Sequence, residues 1–117
     1  MLKGWEDISL IENFIDSNFI GVYALSRNGL NVHYVGRDYD ELVKRIESDA
    51  ESDDCYRFFA YEYSLTDAFA YKLECKYYHE CNPPDNNLHP SPPKGLNLQC
   101  PVKGCGSSKK IEAVKRI

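Results

Sequence analysis

"GVYALSRNGLNVHYVGR", residues 21–37, decides how this chain folds. Two apolar arms flank Asn28-Gly29, a pair that tolerates the positive φ of a tight hairpin turn. With Arg27 and Leu30 flanking a two-residue turn, Leu25 falls opposite Val32, Tyr23 opposite Tyr34 and Gly21 opposite Gly36. The two phenols become cross-strand neighbours on one face. Glycines beside them would leave the sheet surface open to a close backbone or phosphate.

Toward the N-terminus, Trp5, Ile8, Ile11, Ile15 and Phe19 recur near helical spacing, which predicts an amphipathic helix over residues 1–18. After the hairpin, Asp38 and Glu41 form a capping box for a helix whose stripe is Tyr39, Leu42, Val43 and Ile46, with Arg45 at its border. Residues 47–54, "ESDAESDD", read as a solvated acidic loop. The aromatic stretch "CYRFFAYEYS" is a third strand, and Thr66 caps a helix from Asp67 to Cys81 that Asn82-Pro83-Pro84 ends. The expected fold is α+β: a small three-stranded antiparallel sheet flanked by helices, an N-terminal helix followed by ββαβα. A chain of 117 residues fits a single domain over 1–117.

Composition narrows the function. No apolar run approaches the roughly 20 residues of a membrane helix, and Lys3 gives way to acids without the apolar core of a signal peptide. The expectation is an intracellular protein with no membrane partner. A formal net charge of -4 argues against indiscriminate coating of nucleic acid, so binding would need a local basic patch. The basic end "SSKKIEAVKRI" offers only an unspecific phosphate contact.

Five cysteines cannot all pair, and four of them lie between positions 75 and 105 near two histidines. That concentration suits a metal site in a reducing compartment. After Pro83 the chain is rich in Pro, Gly and Asn and too poor in apolar residues to order by burial alone. Cys100 and Cys105 have zinc-knuckle spacing, and Cys75 and His79 share a helix face opposite the apolar stripe. Zinc held by Cys75, His79, Cys100 and Cys105, with His89 as substitute ligand, would staple residues 89–117 onto the helix. Four reduced cysteines are the plainer alternative. Cys81, on the apolar face, reads as a small hydrophobe.

Gly21-Val22-Tyr23, Tyr34-Val35-Gly36, Arg45, Glu74 and Asn87, in this order over residues 19–88, resemble the GIY-YIG nuclease domain. The resemblance implies metal-dependent hydrolysis of DNA phosphodiesters. It assigns Tyr23 as general base, Tyr34 to orient water or phosphate, Arg45 to neutralise the phosphate, Glu74 to hold Mg or Mn, and Asn87 to hydrogen-bond the site. A lone hard carboxylate is sufficient in kind for Mg²⁺, which keeps several waters. A phenol, with a pKa near ~10, needs a neighbouring cation to serve as base. Gly36 and Arg37 are further phosphate-binding candidates, while His33 points to the opposite face. The expected partner is DNA, branched or nicked forms included, with a protein partner supplying the address. A monomer would nick, and a homodimer would cut both strands. The alternative is a catalytically silent module on the same fold that binds nucleic acid or protein, in which the tyrosines pack and Arg45 and Glu74 are ordinary solvated side chains.

Overall fold

The hairpin arms do pair, in a sheet of four strands instead of the expected three. The computed structural model describes residues 2–15, 20–39, 41–52 and 56–105. In chain order these form β1 (Lys3–Asp7), a 3₁₀ turn (Ile8–Asn13), β2 (Ile20–Ser26), β3 (Tyr34–Asp38), α1 (Leu42–Ser52), β4 (Phe58–Ser64) and α2 (Asp67–Cys81). The strands are antiparallel in the order β1-β4-β2-β3. Phe19 and residues 106–117, with the basic end, lie outside the described residues.

The extra strand comes from the segment expected to be a helix. Trp5 packs with the apolar cluster beneath α2, whereas Ile11 and Ile15 join the cluster on the other face, beneath α1. One straight helix cannot serve both faces of a sheet. The chain instead runs along the free edge of β4, and Asp7 then turns it by accepting from the Ser9 amide at 2.9 Å.

The β2–β3 register is displaced by two residues from the tight-turn expectation: Tyr23 faces Gly36 and Leu25 faces Tyr34. Asn28 is the reason. Its side-chain oxygen accepts from the Leu30 and Asn31 amides at 2.9 and 3.0 Å, building a wider loop in which Gly29 takes φ 72°. Side chains alternate with period two, so this displacement keeps both tyrosines on one face. Their ring centroids are 6.3 Å apart.

α1 follows the Asp38 cap, whose carboxylate accepts from the Glu41 amide at 2.7 Å, and buries Leu42, Val43 and Ile46; Tyr39 is left exposed. The helix runs on through Glu47–Ser52, so the front of the acidic stretch is helix and not loop, with Ala50 turned to the core. α2 has the expected bounds, with the Thr66 cap and Asn82 in the left-handed region. Its buried residues extend from Ala70, Leu73 and Tyr77 to Tyr71, Glu74 and Cys75, while Phe69 is half exposed. The segment after α2 returns to the hairpin. The Asp85 amide donates to the His33 carbonyl at 3.0 Å, and the Asp85 carboxylate binds Arg27 and Tyr56. Asn86 clasps β3 through both Val35 backbone groups at 2.8 Å.

Gly36 is not an opening in the sheet. A Cβ there would fall 2.5 Å from the Tyr23 ring carbon Cζ and closer still to its hydroxyl, because that phenol lies across the glycine. The space expected to admit a phosphate is filled from within. At Gly21 a Cβ would meet the Glu62 carbonyl oxygen at 2.5 Å, so this glycine serves the close approach of β4. Gly36→Ala should therefore destabilise the fold by about 2 kcal/mol through overpacking against a fully buried tyrosine. Thermal melts compared with Gly4→Ala, where nothing lies within 4 Å of the new Cβ, check this; equal melting temperatures would refute it.

Candidate functional site

Tyr23, Tyr34 and Arg45 meet on the α1 face of the sheet. Tyr23 is fully buried and its hydroxyl donates to Asp49, four residues after Arg45 on α1. Arg45 Nε donates to the same Asp49 oxygen at 3.4 Å, and its positive charge opposes the rise in pKa of both phenols. Asp49 belongs to the run that the sequence presents as a solvated loop; its (i, i+4) spacing from Arg45 is the signal that sets it apart. Tyr34 is half-buried at the start of β3 and reaches solvent.

Neither phenol is poised to ionise. Burial first, and then the Asp49 charge, hold Tyr23 well above the ordinary phenol value. The same two causes raise Tyr34, with Arg45 opposing them.

Glu74 comes from the opposite face. It projects from α2, on the side of Arg37, Val35 and Val22, and among the described residues it is the only charged one that is buried. Burial raises its carboxyl above the usual range, against the pull of Arg37, whose Nη1 donates to Glu74 Oε1. The Arg37 guanidinium also lies 5.3 Å from the centroid of the Tyr71 ring. Glu74 still belongs with the tyrosines electrostatically: its charge raises Tyr34, and Arg45 lowers Glu74. Asn87 is exposed, and the neighbouring Asn86 makes the ordered contacts to β3.

A second constellation joins the tail to α2. Ligand atoms of His79, His89, Cys100 and Cys105 all lie within 4.8 Å of one another, and this cluster could hold a metal ion. His79 Nε2 is 3.2 Å from His89 Nε2, which is 3.3 Å from Cys105 Sγ. Tetrahedral Zn²⁺, with bonds of about 2.0–2.3 Å, sets its ligand atoms about 3.3–3.8 Å apart. The His89 Nδ1 lies 2.8 Å from the Pro90 carbonyl, a bond that leaves Nε2 as the ligating atom. Burial and His89 lower the pKa of His79, favouring the neutral ring that ligation needs.

His89 thus takes the place expected for Cys75. Cys75 lies one turn before His79 but is wholly buried, and its sulfur is engaged with Tyr71 and Cys100; burial pushes its thiol up to about 12. Helical spacing puts Cys75 and His79 on one face, but it does not show that the tail meets Cys75 through Cys100 and brings His89 to His79.

Because folding holds the Tyr23 phenol protonated, unfolding above pH ~10 releases a proton, so stability falls as pH rises past the unfolded value. Denaturant midpoints between pH 9 and 11 should fall less steeply for Tyr23→Phe than for the native chain; parallel slopes would contradict the burial of this phenol. No protein-family model matches this chain, and neither a curated protein nor a solved structure does.

Proposed function

We propose that this chain is a divalent-metal-dependent endonuclease of the GIY-YIG kind, hydrolysing DNA phosphodiesters at the β3 edge. The observation that carries the reading is that Tyr23, Tyr34 and Arg45 gather on one face of the sheet, the phenol rings 6.3 Å apart and Arg45 held through Asp49; Glu74, from the opposite face, is linked to them through its charge. Glu74, a hard oxygen donor half-way along α2, fits Mg²⁺ or Mn²⁺, which supplies positive charge for the phosphate and acidifies a bound water.

The chain's own residues divide the remaining work. Arg45, half exposed and held by Asp49, offers its outer guanidinium nitrogens to a phosphate oxygen. Tyr34 reaches solvent and orients the attacking water. Tyr23 is the buried strut that fixes Asp49 and Arg45, so the solvent-facing role passes from Tyr23 to its neighbour. Asn87, exposed just beyond the Asn86 clasp, is available to bind the DNA backbone. One site cuts one strand, so a double cut needs a second copy or a second encounter.

We assign the His79, His89, Cys100 and Cys105 cluster to structural Zn²⁺, since two thiolates and two imidazoles suit that ion and not Mg²⁺. A catalytically silent DNA-binding module is the second reading, favoured by the Arg37–Glu74 pair, which already satisfies the carboxylate.

Cleavage of branched, supercoiled and single-stranded DNA with Mg²⁺ or Mn²⁺ decides between the two. Glu74→Ala and Arg45→Ala should each lose at least about a hundredfold in rate, and Tyr34→Phe should lose more than Tyr23→Phe after correction for folded fraction. Metal-dependent cleavage undiminished in Glu74→Ala would sink the assignment, and no cleavage by the native chain favours the silent module. For the tail, elemental analysis should find about one zinc per chain, kept by Cys75→Ala and lost by His89→Ala together with a lower melting temperature. The reverse pattern would restore Cys75 as ligand.

A further inference from the structure

Arg37 stands where a divalent cation would be needed. Its guanidinium supplies the positive charge beside Glu74 and rests against Tyr71, which is itself 2% exposed. The pair is not sealed: the Arg37 side chain keeps 19% of its surface in solvent, against 11% for Glu74. A guanidinium and a divalent cation cannot share one buried carboxylate without strong repulsion, whereas a buried carboxylate left with neither is costly. Any cation that takes Glu74 must therefore replace Arg37, and Arg37 must find another anion. The planar fork of arginine fits a phosphate as well as a carboxylate.

We infer that Arg37 is an exchangeable counter-ion: it occupies Glu74 while the site holds no DNA, then swings to a substrate phosphate and yields the carboxylate to the catalytic cation. The exchange makes tight metal binding depend on DNA. Its DNA half rests on the nuclease reading, whereas competition between Arg37 and a cation for Glu74 does not. Each group keeps an opposite charge before and after the exchange, and only the pairing changes.

Manganese titration of the full-length, zinc-loaded chain tests both halves, with free Mn²⁺ followed by its paramagnetic resonance signal. Without DNA, Arg37→Gln should bind Mn²⁺ about tenfold more tightly than the native chain, and Arg37→Gln/Glu74→Gln should lose that gain. Arg37→Lys, which keeps the charge without the fork, should fall between them, and circular dichroism melts verify that each variant is folded. A nuclease-resistant phosphorothioate duplex should tighten Mn²⁺ binding by the native chain and leave Arg37→Gln unchanged. Equal Mn²⁺ affinity in native and Arg37→Gln, with Glu74→Gln weakening both, overturns the competition. A gain in Arg37→Gln with no response of the native chain to the duplex overturns the DNA exchange and counts against the nuclease reading, leaving the competition intact.

Discussion

Tyr23 lying across the bare face of Gly36 is the contact on which the rest of the molecule depends. It locks β2 against β3 in a single register, because a one-residue slip would put a side chain under the ring. It also aims the phenol hydroxyl at Asp49, so the strand pairing fixes the rotation of α1. Arg45, one turn earlier on that helix, is then set above Tyr34. A missing side chain, a buried ring and a helical carboxylate together transmit the geometry of a hairpin to a cation.

α2 works under a different constraint, being covered from two sides. Ala70, Leu73 and Tyr77 meet the sheet, while Cys75 and His79 meet the tail. Glu74 lies between these surfaces on the helix and is buried against Arg37 of β3. The two candidate metal positions thus both draw on α2 and are opposite in chemistry: a hard carboxylate at Glu74, and soft thiol and imidazole donors toward the tail at His79.

What could be read from sequence follows from how local each signal is. The Thr66 cap and the Asn82-Pro83-Pro84 stop act within a few residues, and α2 stands where they put it; α1 begins at Leu42, beyond Tyr39, and runs on into the acidic stretch. The face shared by Tyr23 and Tyr34 was legible because alternation survives a two-residue displacement, although the pairing itself was not. The N-terminal strand was hidden because the same apolar spacing serves a helix on one face or a chain crossing two. Long-range choices were the hardest. Asp49 over its acidic neighbours, His89 over Cys75 and Asn86 over Asn87 each depend on where a distant segment returns, which no periodicity encodes.

The Asn86 clasp has a consequence for how this protein meets other chains. Its carboxamide offers Val35 one donor and one acceptor, the pair that another strand would offer, so it imitates a single residue of a fifth strand. β3 is thereby capped against strand addition near its start, and the return of Asp85 to His33 extends the cover toward the hairpin loop. The other border of the sheet is blunted differently, by the register break in β1 between Lys3 and Glu6 and by the charges of those residues. Backbone pairing with another copy is thus opposed at the start of β3 by a side chain that already fills the partner's place, and along β1 by charge and an irregular register.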